Sequence, residues 1–134
     1  MRCSTRTLLL PLSGLLLAAV APAQSNRAKT PEYFESTIRP ILANNCFSCH
    51  TQSALGGLRV DSREALEKGG KRGPALISGD PDKSLLIKAV RHEDPGYKMP
   101  MGGKLKDAEI AALVEWVKAG AVWPKTEAPT STSS

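Results

Sequence analysis

The sequence predicts an all-α fold made of a few short helices separated by long loops. The clearest evidence lies in residues 107–119, where apolar residues recur with the spacing of one helix face: Ile110, Leu113, Val114 and Val117. No stretch of useful length alternates apolar and polar residues as a half-buried strand does. Glycine and proline concentrate between the helical segments, where they favour turns and loops.

The first predicted helix covers residues 31–45 and carries one apolar stripe, formed by Phe34, Ile38, Ile41 and Leu42. Pro40 lies within it and lacks the backbone N–H that a continuous helix would use. We therefore expect a kink, or a second helix that starts with Pro40 in its first turn, where proline is tolerated.

A short helix is predicted to follow Asp61 or Ser62, because either side chain can accept a hydrogen bond from the first helical turn. Gly69 and Gly70 are predicted to end it. Residues 71–79 contain a Gly-Pro pair and are predicted to form a loop.

The next helix is predicted to begin with Asp80 as its N-cap and Pro81 in its first position. Its inner face would carry Leu85, Leu86, Ala89 and Val90. Residues 92–103 contain too much proline and glycine for regular structure, and the last helix, 107–119, is expected to stop before Gly120.

The segment Cys46-Phe47-Ser48-Cys49-His50 is the most specific motif in the chain. C-x-x-C-H is the pattern that attaches a c-type haem. Cys46 and Cys49 would form thioethers with the two vinyl groups of one porphyrin, and His50 would then become the proximal ligand of the iron. The sequence therefore predicts one covalent haem c, attached where the first helix ends.

A second axial ligand of the iron is expected from Met99, Met101 or His92. Met99 is favoured because the rigid Pro100 next to it would help to hold a ligand loop. Packing of the loop is the alternative role for either methionine. His92 lies among Arg91, Glu93 and Asp94, which indicates a surface position.

Residues 1–23 have the pattern of a signal peptide: two arginines, an apolar run at 8–20, and Ala21-Pro22-Ala23 as cleavage site. Export agrees with the haem motif, because thioethers form outside the cytoplasm. The expected location is periplasmic, with an uncleaved N-terminal membrane anchor facing the periplasm as the alternative. Cys3 would be removed with the signal peptide.

Cleavage after residue 23 would leave 111 of the 134 residues, enough for one domain. The haem domain is predicted at 30–124, followed by a disordered tail or linker at 125–134. Aromatic residues make up only 4% of the chain, so a buried porphyrin would fill much of the interior and the apo-protein is expected to fold poorly. The formal net charge is +5, but lysine and arginine residues are interleaved with acidic residues. This pattern argues against nucleic acid as a partner.

The chain also resembles the planctomycete-type cytochrome c domain over about residues 32–124. It matches the family pattern at Tyr33-Phe34-Glu35, Ile38-Arg39-Pro40-Ile41-Leu42, the haem motif, Gly56-Gly57-Leu58-Arg59-Val60-Asp61-Ser62, Gly69-Gly70, Gly73-Pro74-Ala75-Leu76, Gly79-Asp80-Pro81, Ser84-Leu85-Leu86, Lys98-Met99-Pro100 and Asp107-Ala108-Glu109-Ile110. Two residues depart from it: Met101 stands where a second proline is usual, and Lys106 removes a good N-cap.

The resemblance implies a cytochrome c-like fold, in which a first helix crosses a last helix with haem between them. It also implies that the carbonyl of Pro74 accepts a hydrogen bond from Nδ1–H of His50 and so orients that ligand. Domains of this family commonly precede larger domains, so the chain is either a stand-alone carrier or the front part of a longer protein.

The function expected is one-electron transfer without catalysis, with His50 and Met99 as the two axial ligands. The expected partners are the cytochrome c maturation machinery and a redox protein, with no specific small-molecule substrate. A haem enzyme or gas sensor with an open sixth site is the main alternative. A zinc module formed by the two cysteines, His50 and His92, or a thiol–disulfide site, fits the motif less well.

Overall fold

The computed structural model describes residues 26–125, and the all-α prediction is confirmed within this range. The regular elements are α1 (Pro31–Tyr33), a π-helical turn (Phe34–Ile38), α2 (Arg39–Asn45), α3 (Phe47–His50), a 3-10 turn (Leu55–Gly57), α4 (Arg63–Lys68), α5 (Leu85–Arg91) and α6 (Asp107–Lys118). Extended pairing among these residues is limited to two isolated bridges, Gly70 with Gly73 and Asp94 with Tyr97.

Of the kink and the restart expected at Pro40, the structure shows the restart. The N–H of Arg39 donates to the carbonyl of Phe34, five residues back, so a π-helical turn separates α1 from α2. Pro40 then lies in the first turn of α2, where a missing N–H leaves no helical bond unmade. The chain therefore stays helical from Pro31 to Asn45 despite the proline.

The predicted start of the third helix at Asp80 is wrong. The carboxylate of Asp80 accepts the N–H of Lys83 at 3.1 Å, which closes a turn before the helix. The buried hydroxyl of Ser84 accepts the N–H of Ile77 at 2.9 Å and lies 2.8 Å from the carbonyl of Asp80. These bonds hold the loop on itself, so α5 begins only at Leu85.

Other helix ends agree with the sequence. Ser62 caps α4 by accepting the N–H of Ala65 at 3.1 Å, and Gly69 ends it at φ +71°. Gly120, at φ +106°, follows the end of α6. At the start of α6 no side-chain cap comes from Lys106, whose N–H instead donates to the carboxylate of Glu109 at 3.0 Å.

The last helix packs against the first helical stretch and against α5. At the centre of this contact Phe34 and Trp116 are fully buried, with ring centroids 5.9 Å apart. The indole N–H of Trp116 donates to the carbonyl of Val122 at 2.8 Å, which fastens the chain after α6. This aromatic cluster holds the helices that carry the haem motif.

The packed region begins slightly before the predicted boundary at residue 30, since Ala28 is only 1% exposed. The predicted signal peptide and the tail from residue 126 onward lie outside the described residues. Between residues 26 and 125, every helix is too short or too polar to cross a bilayer.

Candidate functional site

The haem motif is wound into the helical turn that follows α2. The N–H of Cys46 donates to the carbonyl of Leu42 at 2.8 Å, and the N–H of His50 donates to the carbonyl of Cys46 at 3.0 Å. This winding brings Cys46, Cys49 and His50 to the wall of one cavity.

The cavity has a volume of about 540 Å³, within the range of pockets that enclose small molecules and cofactors. Its walls come from α3, the loop around Leu58, the loop 70–75, α5 and the loop 97–102. Most lining side chains are apolar, among them Leu86 and Val90 of α5. A flat, largely apolar macrocycle fits these surroundings.

His50 is held in one orientation and in one tautomer. Its Nδ1 lies 3.2 Å from the carbonyl oxygen of Leu58. A carbonyl only accepts, so Nδ1 carries a proton, and in the neutral imidazole Nε2 then has the free lone pair that binds a metal. The chain closes around the residue because the N–H of Val60 donates to the carbonyl of His50 at 2.8 Å.

The role predicted for Pro74 is wrong in this structure, because His50 bonds to Leu58 instead. Leu58 is eight residues from His50, and the bond between Val60 and His50 brings its carbonyl to the ring. The Gly-Pro pair contributes in another way: Gly73 and Ala75, on either side of Pro74, line the cavity.

The two cysteines are not joined to each other by a disulfide. Burial raises the pKa of the Cys46 thiol to about 11, and the nearby Cys49 adds a smaller effect in the same direction. The Cys46 side chain is therefore uncharged near neutral pH. A thioether is also uncharged, so conversion of the Cys46 thiol to a thioether would leave no charge on this sulfur.

The three candidates for the second axial ligand occupy different positions. Met99 is half-buried, whereas Met101 is 86% exposed, and both line the main cavity. His92 does not line it. Its Nε2 instead lies 3.2 Å from the carbonyl oxygen of Met99, and must carry the proton of that bond.

The sequence reasoning missed Lys71 and Arg72, the only lysine or arginine residues among those that line the main cavity. No aspartate or glutamate lines it within the part of the chain that the structure describes. The guanidinium of Arg72 lies 4.3 Å from the ring centroid of Tyr97 and 3.9 Å from the carboxylate of Asp94. In the sequence, the signal that could have indicated these residues is a pair of adjacent basic residues directly before the Gly-Pro pair.

Tyr97 completes this edge of the cavity. Burial raises the pKa of its phenol, and the positive charge of Arg72 partly offsets the effect. The phenol thus stays protonated well above neutral pH and can donate a hydrogen bond.

Gly70 supports the segment that orients His50, and Gly70→Ala is expected to disturb it. An added Cβ would lie 2.5 Å from the carbonyl oxygen of Gly56 and 2.9 Å from the N of Leu58. That segment would have to move, so we expect a loss of about 1–3 kcal/mol in the free energy of unfolding and a changed haem reduction potential. Denaturant unfolding and redox titration of the holoprotein measure the two effects.

The matched control is Gly102→Ala, because an added Cβ there meets nothing within 4 Å. Its stability should stay within about 0.5 kcal/mol of the original protein. If Gly70→Ala and Gly102→Ala lowered the stability equally, Gly70 would not be what holds the Leu58 segment in place.

Residues 46–101 match the family model described as Planctomycete cytochrome C. The matched segment runs from the first cysteine of the haem motif to Met101 and includes most of the cavity wall. The match confirms the family resemblance over this segment and indicates a haem-binding cytochrome. No curated protein and no solved structure matches the chain.

Proposed function

We propose that the protein is a mono-haem c-type cytochrome that carries one electron at a time. Cys46 and Cys49 would hold the haem covalently, and His50 and Met99 would be the axial ligands. The observation that carries the proposal is the state of His50: its Nδ1–H is bonded to Leu58, so its Nε2 is available to iron beside both thiols.

Bound haem would supply an iron that alternates between the ferric and ferrous states. The protein would supply attachment, orientation and electrostatics. Leu58 fixes the ring of His50, and the apolar residues of α5 exclude water from one wall of the cavity. Low dielectric around the iron limits solvent reorganisation when its charge changes.

An electron carrier needs no acid–base group, whereas an enzyme commonly does, and few such groups line the cavity. Among its described lining residues, His50 is the only imidazole and there is no carboxylate. His92, the candidate for a distal base, is bonded to the backbone of Met99. These features favour electron transfer over catalysis or gas sensing.

The signal-peptide pattern supports export to the periplasm, where maturation enzymes attach haem to C-x-x-C-H motifs. The predicted partners are that machinery and a redox protein. Electron exchange with such a protein requires docking near the cavity, but no dissociation of haem.

Lys71 and Arg72 are suited to the two carboxylate groups that haem carries on its propionates. They would also favour the ferrous state, which has one positive charge fewer. Arg72→Gln should therefore lower the reduction potential. The side chain is 53% exposed, so solvent screening limits the expected change to about 10–40 mV.

Arg59→Gln is the control for this prediction. Arg59 is also 53% exposed and also paired with a carboxylate, Asp61, but it does not line the cavity. Redox titration of both variants would contradict the assignment of Arg72 if the two potentials moved equally.

The decisive test of the function is a visible spectrum of oxidised and reduced protein, produced with cytochrome c maturation factors. Low-spin bands and haem retained on a denaturing gel are expected, with no rapid binding of carbon monoxide by the reduced form. High-spin bands with fast carbon monoxide binding would overturn the carrier in favour of an enzyme or sensor. A colourless protein that binds zinc would overturn the haem assignment itself.

A further inference from the structure

His92 ends α5 in the left-handed conformation that commonly closes a helix, but it does so with an imidazole side chain. It follows Arg91 at φ +59°, in the left-handed region that side-chain-bearing residues rarely adopt. Glycine or asparagine ends a helix in this conformation with less strain. The presence of histidine here, instead of glycine or asparagine, therefore needs a reason, which we find in a contact of its side chain.

That contact is with Met99. The Nε2–H of His92 donates to the carbonyl of Met99 at 3.2 Å. The N–H of Met99 donates to the carbonyl of Ala89 at 3.1 Å, and the same carbonyl also accepts the N–H of His92 at 3.1 Å. Both backbone polar groups of Met99 are thus bonded to the C-terminal end of α5.

The end of α5 is also part of the cavity wall, which includes Ala89 and Val90. The four residues between His92 and Tyr97 are all exposed, although Glu93 pairs with Arg91 and Asp94 with Arg72. Met99 is held from two sides: by the two hydrogen bonds to α5, and through Tyr97, whose ring lies 4.3 Å from the guanidinium of Arg72.

We propose that His92 is a positioning residue, which holds Met99 so that its sulfur is presented to the haem iron. The inference rests on the proposed function and extends it to a residue outside the cavity. Since Nε2 of His92 carries the proton of this bond, that nitrogen is not free to bind iron. Because His92 also lies outside the wall of the main cavity, its assigned role is to support a ligand.

The test measures how easily an added ligand displaces Met99. Ferric holoprotein would be titrated with imidazole at one fixed pH, and loss of the methionine-to-iron charge-transfer band would be followed. His92→Gly keeps the left-handed helix end without a donor, and His92→Asn keeps it with a shorter side chain. His92→Gln restores an N–H donor of similar reach.

Loss of one hydrogen bond should tighten imidazole binding about two- to tenfold in His92→Gly and His92→Asn. His92→Gln should return the affinity to within about twofold of the original protein, which loss of structure alone would not produce. Glu93→Gln is the control, because the exposed Glu93 pairs with Arg91 and does not contact Met99. It should leave imidazole binding unchanged.

The experiment distinguishes failure of the positioning role of His92 from failure of the proposed function. If the unsubstituted protein shows the methionine band but His92→Gly and His92→Asn bind imidazole as it does, the positioning role is overturned and the proposed function stands. If the unsubstituted protein lacks the band, His/Met ligation fails and the role of His92 fails with it.

Discussion

Replacing both Cys46 and Cys49 with alanine is expected to abolish the cooperative fold as well as haem attachment. The cavity of about 540 Å³ is lined by apolar side chains such as Leu86 and Val90, which would be left in contact with water. Apolar surface left in water costs ~25 cal/mol per Å² relative to burial, so exposing a wall of a few hundred Å² would cost on the order of 5 kcal/mol. Small domains have only ~5–15 kcal/mol of stability in total.

Circular dichroism during heating measures this effect. We expect reduced helix content and a broad, non-cooperative melt for Cys46→Ala/Cys49→Ala. Ser48→Ala is the matched control, because Ser48 is an exposed residue between the two cysteines and its loss leaves the haem motif complete. A double variant that melts cooperatively with full helix content would show that the protein folds without haem.

Met99→Ala is expected to remove the sixth ligand and lower the reduction potential on the order of 100 mV, since methionine ligation raises the potential of haem. The helices and the aromatic cluster around Trp116 should persist, because covalent attachment and His50 are retained. The visible spectrum should lose its methionine-to-iron band, and the reduced protein should bind carbon monoxide.

Met101→Ala provides the control and tests the alternative ligand. Met101 is 86% exposed, so its removal should change neither the spectrum nor the potential beyond about 10 mV. Loss of the methionine band in Met101→Ala, with Met99→Ala unaffected, would make Met101 the ligand. Loss in neither variant would exclude both methionines.

Much of the local structure followed from residue chemistry. Pro40 cannot donate a helical hydrogen bond, so a restart of the helix near it was predictable. The ends of α4 could be narrowed to Asp61 or Ser62 and to Gly69-Gly70 because capping preferences act within a single turn, and the structure selects Ser62 and Gly69. The haem motif was equally accessible, because its chemistry depends on three residues at fixed spacing.

Asp80 shows where such reasoning failed. Aspartate followed by proline has the pattern of a helix start, yet Asp80 caps only a turn. The outcome depends on Ser84, whose buried hydroxyl bonds to the backbone of Ile77, seven residues earlier in the chain. A loop that folds back on itself in this way leaves no periodic signal in the sequence.

The sequence by itself determined the helical class, the haem motif and the small set of candidate axial ligands, because these depend on side-chain identity and short spacing. Only the tertiary structure decided which groups hold those ligands. Leu58 rather than Pro74 orients His50, and His92 bonds to Met99. The acceptors in both bonds are backbone carbonyls, which every residue possesses, so only the packing of distant segments selects which one is used.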